Sequence, residues 1–554
     1  MSAAAIGRRP LGAWGLAAVL AWLVGYPLAI TLLEALGFPA RWTLEHLAEF
    51  AAREDEWLAL WRSLWISGAS VVLSAAVGVP LAFVFSRLEF PGRRILGSLV
   101  ALPVALPPLV GVIAFIFLYG ESGFVTRGIQ GMLGLESAPW RLSGPGAILL
   151  VHAYSMYVYF YLFCRAGLAR LDASVEEAAA SLGAGRWRTL RRVVLPLLWP
   201  ALAGASLLTF MTSLASFSAP YLFGGGFRVM TTQIVASKLN ARGAMAQAET
   251  VVLALVAFAG LALMMMLDRR GAAVVGGVRG VTPMRHTLRR PLARIGAAGL
   301  GWGLALVLLL PHLTLALVSL VPPSTWTVEL LPPVLNLDNY RLLLSRQDVW
   351  RPVVNSVWMA VAATAAAVTL GVAASRASRR AGGWTGRALE TLISVPWAVP
   401  GTVFAIALAT TFSVSSPAVG RVVLVGTPWI LPLAYLVRSL PLTGRSAFAG
   451  LRQLDPSLEE AAAILGAGRW RTLRRVVLPL LKPAVVAGAS LAFITALGDF
   501  VTSIVLYTYD TRPISIEIFS RLRLQETGVA AVYGVLLMVV SAAAFLLWGR
   551  EERI

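Results

Sequence analysis

Cysteine and lysine are almost missing from this sequence. Cys164 is the one cysteine, and Lys238 and Lys482 are the two lysines, in 554 residues. A single cysteine excludes an intrachain disulfide and a thiolate cluster for zinc or iron–sulfur. Cys164 lies in an apolar stretch, where it reads as a buried, inert thiol. A phosphate-binding loop of the G-x-x-x-x-G-K-[ST] type needs Gly-Lys, whereas the lysines here follow Ser237 and Leu481, so the chain carries no ATP site of that kind. Charge is scarce too, at 13% of residues against roughly 25% in a soluble protein. With 58% hydrophobic residues, a soluble enzyme, a disordered chain and a secreted disulfide scaffold are excluded. What charge there is leans basic, 47 Lys+Arg against 27 Asp+Glu, a net +20. A nucleic-acid binder would cluster that charge on a polar chain. Here it is spaced between long apolar runs, the habit of a polytopic membrane protein, and no nucleic-acid partner is expected. His46, His152, His286 and His312 lie in separate segments, so no metal site is expected, and no catalytic set of paired carboxylates or Ser-His-Asp is visible.

A bilayer-crossing helix needs about 20 mostly apolar residues. Twelve such runs occur, at 12–33, 63–85, 95–118, 147–167, 200–222, 249–267, 297–320, 353–374, 389–412, 422–440, 483–507 and 529–548. Pro103, Pro107, Pro108, Pro396 and Pro400 interrupt two of them, which membranes tolerate when neighbours satisfy the freed carbonyls. Arg8 and Arg9 resemble a signal-peptide start, but the run that follows is too long and reads as an uncleaved anchor. Lys+Arg in alternate loops favours the side of the N-terminus by more than two to one, which predicts that both termini are cytoplasmic. The expected class is an all-α polytopic membrane protein. Its segments are an N-terminal span and outer loop (1–60), a first membrane domain (61–267) and a basic linker (268–296). A seventh span and outer loop (297–352), a second membrane domain (353–548) and a tail (549–554) follow.

The two halves repeat. Glu176 to Leu202 recurs as Glu459 to Val485, an offset of 283, with differences confined to Ser181/Ile464, Trp199/Lys482 and Leu202/Val485. Upstream, Pro103-Val104-Ala105-Leu106-Pro107 echoes Pro396-Trp397-Ala398-Val399-Pro400, and Gly78 matches Gly371, both at an offset of 293. The spans have drifted far more than the loop. Apolar residues exchange freely in a span, but a surface that meets the same partner twice cannot drift, so two copies of one cytoplasmic partner would impose this pattern. Recent local sequence conversion is the alternative. Ser174-Val175-Glu176-Glu177 and Ser457-Leu458-Glu459-Glu460 each read as a capping box that opens a helix. Ala178, Ala179, Ala180 and Gly183 make a smooth face, and Arg186, Arg188, Arg191 and Arg192 begin a second, basic helix.

These residues carry a resemblance. The pattern E-A-A-x3-G-x9-[IV]-x-L-P is met by Glu177-Ala178-Ala179, Gly183, Val193 and Leu195-Pro196, and again by Glu460-Ala461-Ala462, Gly466, Val476 and Leu478-Pro479. It resembles the EAA loop of type I binding-protein-dependent ABC importer permeases, and the chain looks like two permease domains fused head to tail, in two parallel repeats of that fold. The resemblance implies a transport subunit, not an enzyme, in a bacterial inner membrane. It also implies coupling to a separate ABC ATPase homodimer that holds ATP and Mg, and substrate delivery by an external binding protein; this chain itself would bind no cofactor. The coupling residues it implies are Glu176, Glu177, Ala178, Ala179, Gly183 and Arg186, with Glu459, Glu460, Ala461, Ala462, Gly466 and Arg469. Gly498-Asp499-Phe500, the run Leu106 to Gly111, and Arg512 to Phe519 look most like ferric-iron permeases, with thiamine and phosphonate importers as alternatives. A secondary transporter is the rival from another class, although it needs no duplicated cytoplasmic helices.

Ionisable groups inside spans are costly and mark function. Asp499 is such a group, and its repeat counterpart is Ser216. The pair is the candidate substrate pathway, with a helix–helix hydrogen bond as the structural alternative. Tyr154, Tyr157, Tyr159 and Tyr161 of the fourth span read as an interfacial aromatic belt.

Overall fold

The computed structural model describes residues 11–38, 41–101, 103, 107–272, 286–287, 290–322, 332–414 and 423–551. Arg8, Arg9, Val104-Ala105-Leu106 and much of the linker 268–296 lie outside them. The described chain is helical apart from one parallel pairing of two residues, Leu88 with His286 and Glu89 with Thr287.

Among the described residues, nine helices are long and apolar enough to cross a membrane, and two bent pairs raise this to 11. A further helix, Ile430–Gln453, has the length but carries Arg438, Arg445 and Arg452. It differs from the expected tenth span at 422–440 because Thr427 and Pro428 hold the preceding apolar residues in a turn, where Thr427 Oγ1 donates to the Leu424 carbonyl at 2.7 Å. The third expected span is broken into Arg93–Leu99 and Pro108–Tyr119. The ninth bends by 107° between Gly383–Ala398 and Gly401–Thr411, where Pro400 withholds a backbone N–H. The fifth and eleventh break at repeat-equivalent places: Trp199–Leu214 stops before Ser218–Phe223, and Leu478–Leu497 before Val501–Leu506.

Two compact units result. One holds Met1–Phe50, Ser237–Val251 and Asp338–Ile554; the other holds Ala51–Ala236 and Val252–Leu337. In the first, the opening span packs on the second repeat, with Trp14 against Trp384 at 5.5 Å and Trp22 against Phe412 at 5.9 Å. In the other, the helix Pro291–Ser319 sends Ala305 and Leu308 into the core of the first repeat, beside Leu81, Phe85 and Tyr157. The opening helix of each half therefore joins the core of the opposite repeat, an exchange that span counting does not reveal.

The repeated glycines mark a close helix–helix contact inside each unit. A Cβ on Gly78 would lie 2.3 Å from the Tyr157 carbonyl, and one on Gly371 would lie 3.0 Å from the backbone of Gly444. Helix Glu54–Arg87 thus presses on Gly144–Leu168, and Gln347–Ala381 on Ile430–Gln453. Two of the four tyrosines expected to form an aromatic belt in the fourth span do not. Tyr157 and Tyr161 are fully buried, and their hydroxyls donate to the carbonyls of Val100 at 2.6 Å and Gly97 at 2.8 Å. Those carbonyls lie at the end of the first piece of the broken third span, and buried backbone acceptors must find donors. The exposed aromatic stripe belongs instead to Trp57, Trp61 and Trp65, one helical turn apart on Glu54–Arg87.

Candidate functional site

The duplicated loop folds the same way in both units. Helix Ala173–Ser181 is capped by Asp172, whose Oδ1 accepts from the Ser174 N–H at 3.1 Å. In the other unit, Asp455 Oδ1 accepts from the Ser457 N–H at 2.9 Å beside helix Ser457–Ile464. In the first unit the cap is therefore Asp172 and not the serine of the expected S-x-x-E box; in the second, Pro456 holds the capping position, Ser457 is already helical, and Asp455 makes the same bond from one residue further out. An aspartate side chain reaches the N–H two residues ahead, so the helix starts before the serine can act as its cap. That bond holds the exposed Asp455 carboxyl below the usual carboxylate range, because the N–H favours the charged form.

Each helix ends on glycine in the left-handed region, Gly183 at φ 78° and Gly466 at φ 76°. The Ala184 N–H then reaches the Ala179 carbonyl at 3.0 Å, and the Ala467 N–H the Ala462 carbonyl at 2.9 Å, closing the chain reversal that a side chain there would oppose. The second helix opens at Arg186 or Arg469 and widens into a π-helical turn, Leu190–Val194 or Leu473–Val477. Pro196 and Pro479 follow directly. Each lacks the N–H that an α-helical bond to the preceding turn requires, which suits the wider turn.

Within this frame Glu177 and Glu460 are exposed, as are Ala178, Ala461 and Arg186. Ala179 is half-buried and Ala462 is buried. The side chain of Arg469 lies outside the described residues. Glu176 turns inward onto Arg87, and Glu459 lies 3.5 Å from Arg376 and 3.9 Å from Arg380. The alanine face is thus partly occupied within the unit. The large exposed apolar groups are instead Leu182 and Trp187 at 89% and 72%, repeated as Leu465 and Trp470 at 86% and 72%. Sequence reasoning passed over them, although an apolar residue held constant in a charged loop is a legible signal.

Asp499 and Ser216 occupy the breaks of the eleventh and fifth spans. Asp499 is buried, pairs with Arg438, and its Oδ1 accepts from the Thr502 N–H at 2.8 Å. Arg438 also donates to Thr502 Oγ1 at 3.0 Å. Its guanidinium crowds Gly401, where a Cβ would lie 2.9 Å from Cζ. A cation beside the start of helix Gly401–Thr411 opposes the helix dipole, and the Asp499 carboxylate offsets it. Tyr435, on the same helix as Arg438, shares a hydrogen bond with Ser503 at 2.7 Å. In the other unit the equivalent positions bring together an imidazole and hydroxyls, with no carboxylate or guanidinium. Ser216 Oγ meets His152 Nε2 at 2.9 Å, while His152 Nδ1 meets Ser70 and Ser213 at 2.9 and 3.1 Å. His152 is the repeat counterpart of Tyr435, and Ser155 that of Arg438. Arg438 lay within the expected tenth span, and as a charge inside an apolar run it could have been paired with Asp499 from the sequence.

Further backbone contacts recur between the units. The Met230 N–H donates to Ser63 Oγ at 2.8 Å and the Ile514 N–H to Ser356 Oγ at 2.7 Å. Thr231 Oγ1 donates to the Ser216 carbonyl at 2.7 Å and Ser515 Oγ to that of Asp499 at 2.6 Å. The scaffold is common to both units and the side chains at the break are not.

Residues 75–272 and 367–550 each match the family of binding-protein-dependent transport system inner membrane components. The chain belongs to this family. Each matched segment contains one duplicated loop, so two permease repeats are fused in one polypeptide. A probable ABC transporter permease protein, y4fN of Sinorhizobium fredii, is 31% identical over 542 residues, covering 96% of this chain and 94% of its own. The ferric transport system permease protein FbpB of Actinobacillus pleuropneumoniae is 29% identical over 492 residues, 87% of this chain and 69% of that one. The thiamine transport system permease protein ThiP of Escherichia coli is 26% identical over 559 residues, 96% of each.

Proposed function

We propose that this ABC-transporter permease imports ferric iron delivered by an external binding protein, driven by ATP hydrolysis on a separate ATPase homodimer. The observation that carries the coupling role is the pair of like-folded loops, each presenting an exposed glutamate beside an exposed leucine and tryptophan. An apolar patch of that kind, rimmed by charge and repeated twice, suits docking to two copies of one partner. Glu177 and Glu460, with Arg186 and Arg469, are the polar contacts of each docking surface; Gly183 and Gly466 fix its turn. Both termini and both loops lie on the cytoplasmic side of the inner membrane in this reading, in line with the basic bias of those segments. ATP and Mg sit on the partner, and this chain binds no cofactor.

Within the membrane, Asp499 and Ser216 mark the pathway at the two broken spans, and Arg438 sets the charge there. Ferric relatives support the choice of ion. In this reading the binding protein holds the ion and the permease passes it on. Uptake of radiolabelled ferric iron and thiamine by cells lacking and regaining this gene tests the substrate. The reading expects iron uptake to fall and return while thiamine uptake stays constant; the reverse result sinks it. Asp499→Asn with unchanged iron uptake and unchanged stimulated ATPase would remove Asp499 from the pathway.

A further inference from the structure

The two neighbouring glutamates of each loop helix do different things. Successive residues on an α-helix project about 100° apart, so Glu176 and Glu177 cannot serve one surface. Glu177 and Glu460 face outward. Glu176 and Glu459 face the ends of helices to which the loop is not joined. Arg87 is the last residue of Glu54–Arg87, while Arg376 and Arg380 lie near the end of Gln347–Ala381. Arg87 and Arg380 are repeat counterparts at the same offset of 293 that relates Gly78 to Gly371. The same bridge has therefore persisted in both units, although the spans that carry it have drifted. Arg376, buried to 8% exposure, is an addition peculiar to the second repeat, standing where the first has Phe83.

The position of these bridges matters more than their number. Each loop is joined by the chain to the helices before and after it, Gly144–Leu168 and Trp199–Leu214 in one unit, and Ile430–Gln453 and Leu478–Leu497 in the other. The glutamate adds a third connection, to the helix pressed against the first of these at Gly78 or Gly371. Arg87 and Glu176 are both largely shielded from water, and a shielded pair is screened by salt far less than an exposed one. We infer that Glu176–Arg87 and Glu459–Arg376/Arg380 are internal latches that carry movement of each docking loop to the end of Glu54–Arg87 or Gln347–Ala381. The arginines are positioning residues: each acts through the loop glutamate it holds, and together they set how fully a docked ATPase is coupled to the membrane helices. This inference rests on the docking role proposed above. The second unit, with two arginines on one carboxylate, tolerates loss of Arg380 better than the first tolerates loss of Arg87.

The test uses the assembled permease–ATPase complex in proteoliposomes with its binding protein. It measures ATPase association, basal ATPase rate and stimulation by the binding protein. Arg87→Gln is expected to keep the ATPase bound while stimulation falls by about fivefold or more, the lower end of an ordinary coupling effect. Arg87→Lys and the exchange Arg87→Glu/Glu176→Arg are expected to restore most of it, which a merely structural role would not do. Arg380→Gln is expected to lose less than Arg87→Gln, and it supplies the reading if the Arg87→Gln chain fails to accumulate, with Arg376→Gln/Arg380→Gln as the full loss in that unit. Unchanged stimulation in Arg87→Gln, or a loss that neither lysine nor the exchange repairs, overturns the latch. Failure of the docking proposal looks different: the wild-type chain would hold no ATPase at all.

Discussion

The two repeats agree where they meet the same kind of surface and disagree where their spans break. The loops share an aspartate bond to the serine N–H, glycine turns, π-helical segments and exposed leucine and tryptophan side chains. At the break, Ser216 sits in a hydroxyl–imidazole cluster, whereas Asp499 is locked to Arg438 and to the backbone of the next helix. The backbone contacts around both breaks are nonetheless the same. Duplication thus left one scaffold with two polar solutions, one made from hydroxyls around an imidazole and one from an ion pair. The ion pair is the more brittle, because removing Arg438 strands the buried Asp499 carboxylate, and the hydroxyl–imidazole cluster can rearrange among three serines.

Breaking the ion pair is expected to have the largest effect. Arg438→Ala should destabilise the chain by about 3–5 kcal/mol, the cost of leaving one buried charge unpaired, read as a lowered Tm in detergent. The double variant Arg438→Ser/Asp499→Ser installs the residues of the other unit and should lose less than either single change, since no charge is left stranded. A double variant worse than both singles would show that the ion pair is not the reason for the difference. His152→Ala attacks the hydroxyl–imidazole cluster and should cost about 1–3 kcal/mol, the penalty for unsatisfied buried hydroxyls. A loss equal to that of Arg438→Ala would erase the contrast.

The glycine contacts rank next. Gly78→Ala is expected to cost about 1–3 kcal/mol by overpacking, because its Cβ would meet a carbonyl that cannot swing away. Gly371→Ala, with more room, should cost less; equal losses would mean that the helices relax alike. The smallest effect concerns the loop caps. Asp172→Ala should cost the loop helix about 1 kcal/mol, seen as faster amide exchange over 173–181. For Asp455 the folded pKa is depressed by the Ser457 N–H, so its contribution is present above the ordinary carboxylate range and is lost as pH falls through the lowered value. Amide exchange of 457–464 measured from neutral to acid pH should speed up only in that acid range.

The class and the duplicated loop were legible because hydropathy, charge bias and a long identical stretch are local signals. The loop's cap was misassigned since Ser174 and Asp172 are both good capping residues and only the backbone decides which comes first. Arg438 was legible as a charge inside the expected tenth span, and the rule that such a charge seeks a partner points to Asp499. The exchange of opening helices between repeats could not be read at all. Helices such as Pro291–Ser319 are apolar on most sides, and their composition does not say which core they join. The inward turn of Tyr157 and Tyr161 depended likewise on carbonyls freed in another helix.

The central claim is that both loops are equivalent seats for the same ATPase. Native mass spectrometry of the co-purified complex tests it by counting ATPase subunits on wild-type, Leu182→Glu, Leu465→Glu and doubly substituted chains. The account expects two subunits on the wild type, equal losses for the single variants and none on the double. Retention of both subunits by the double variant, or a loss confined to one loop, would contradict it.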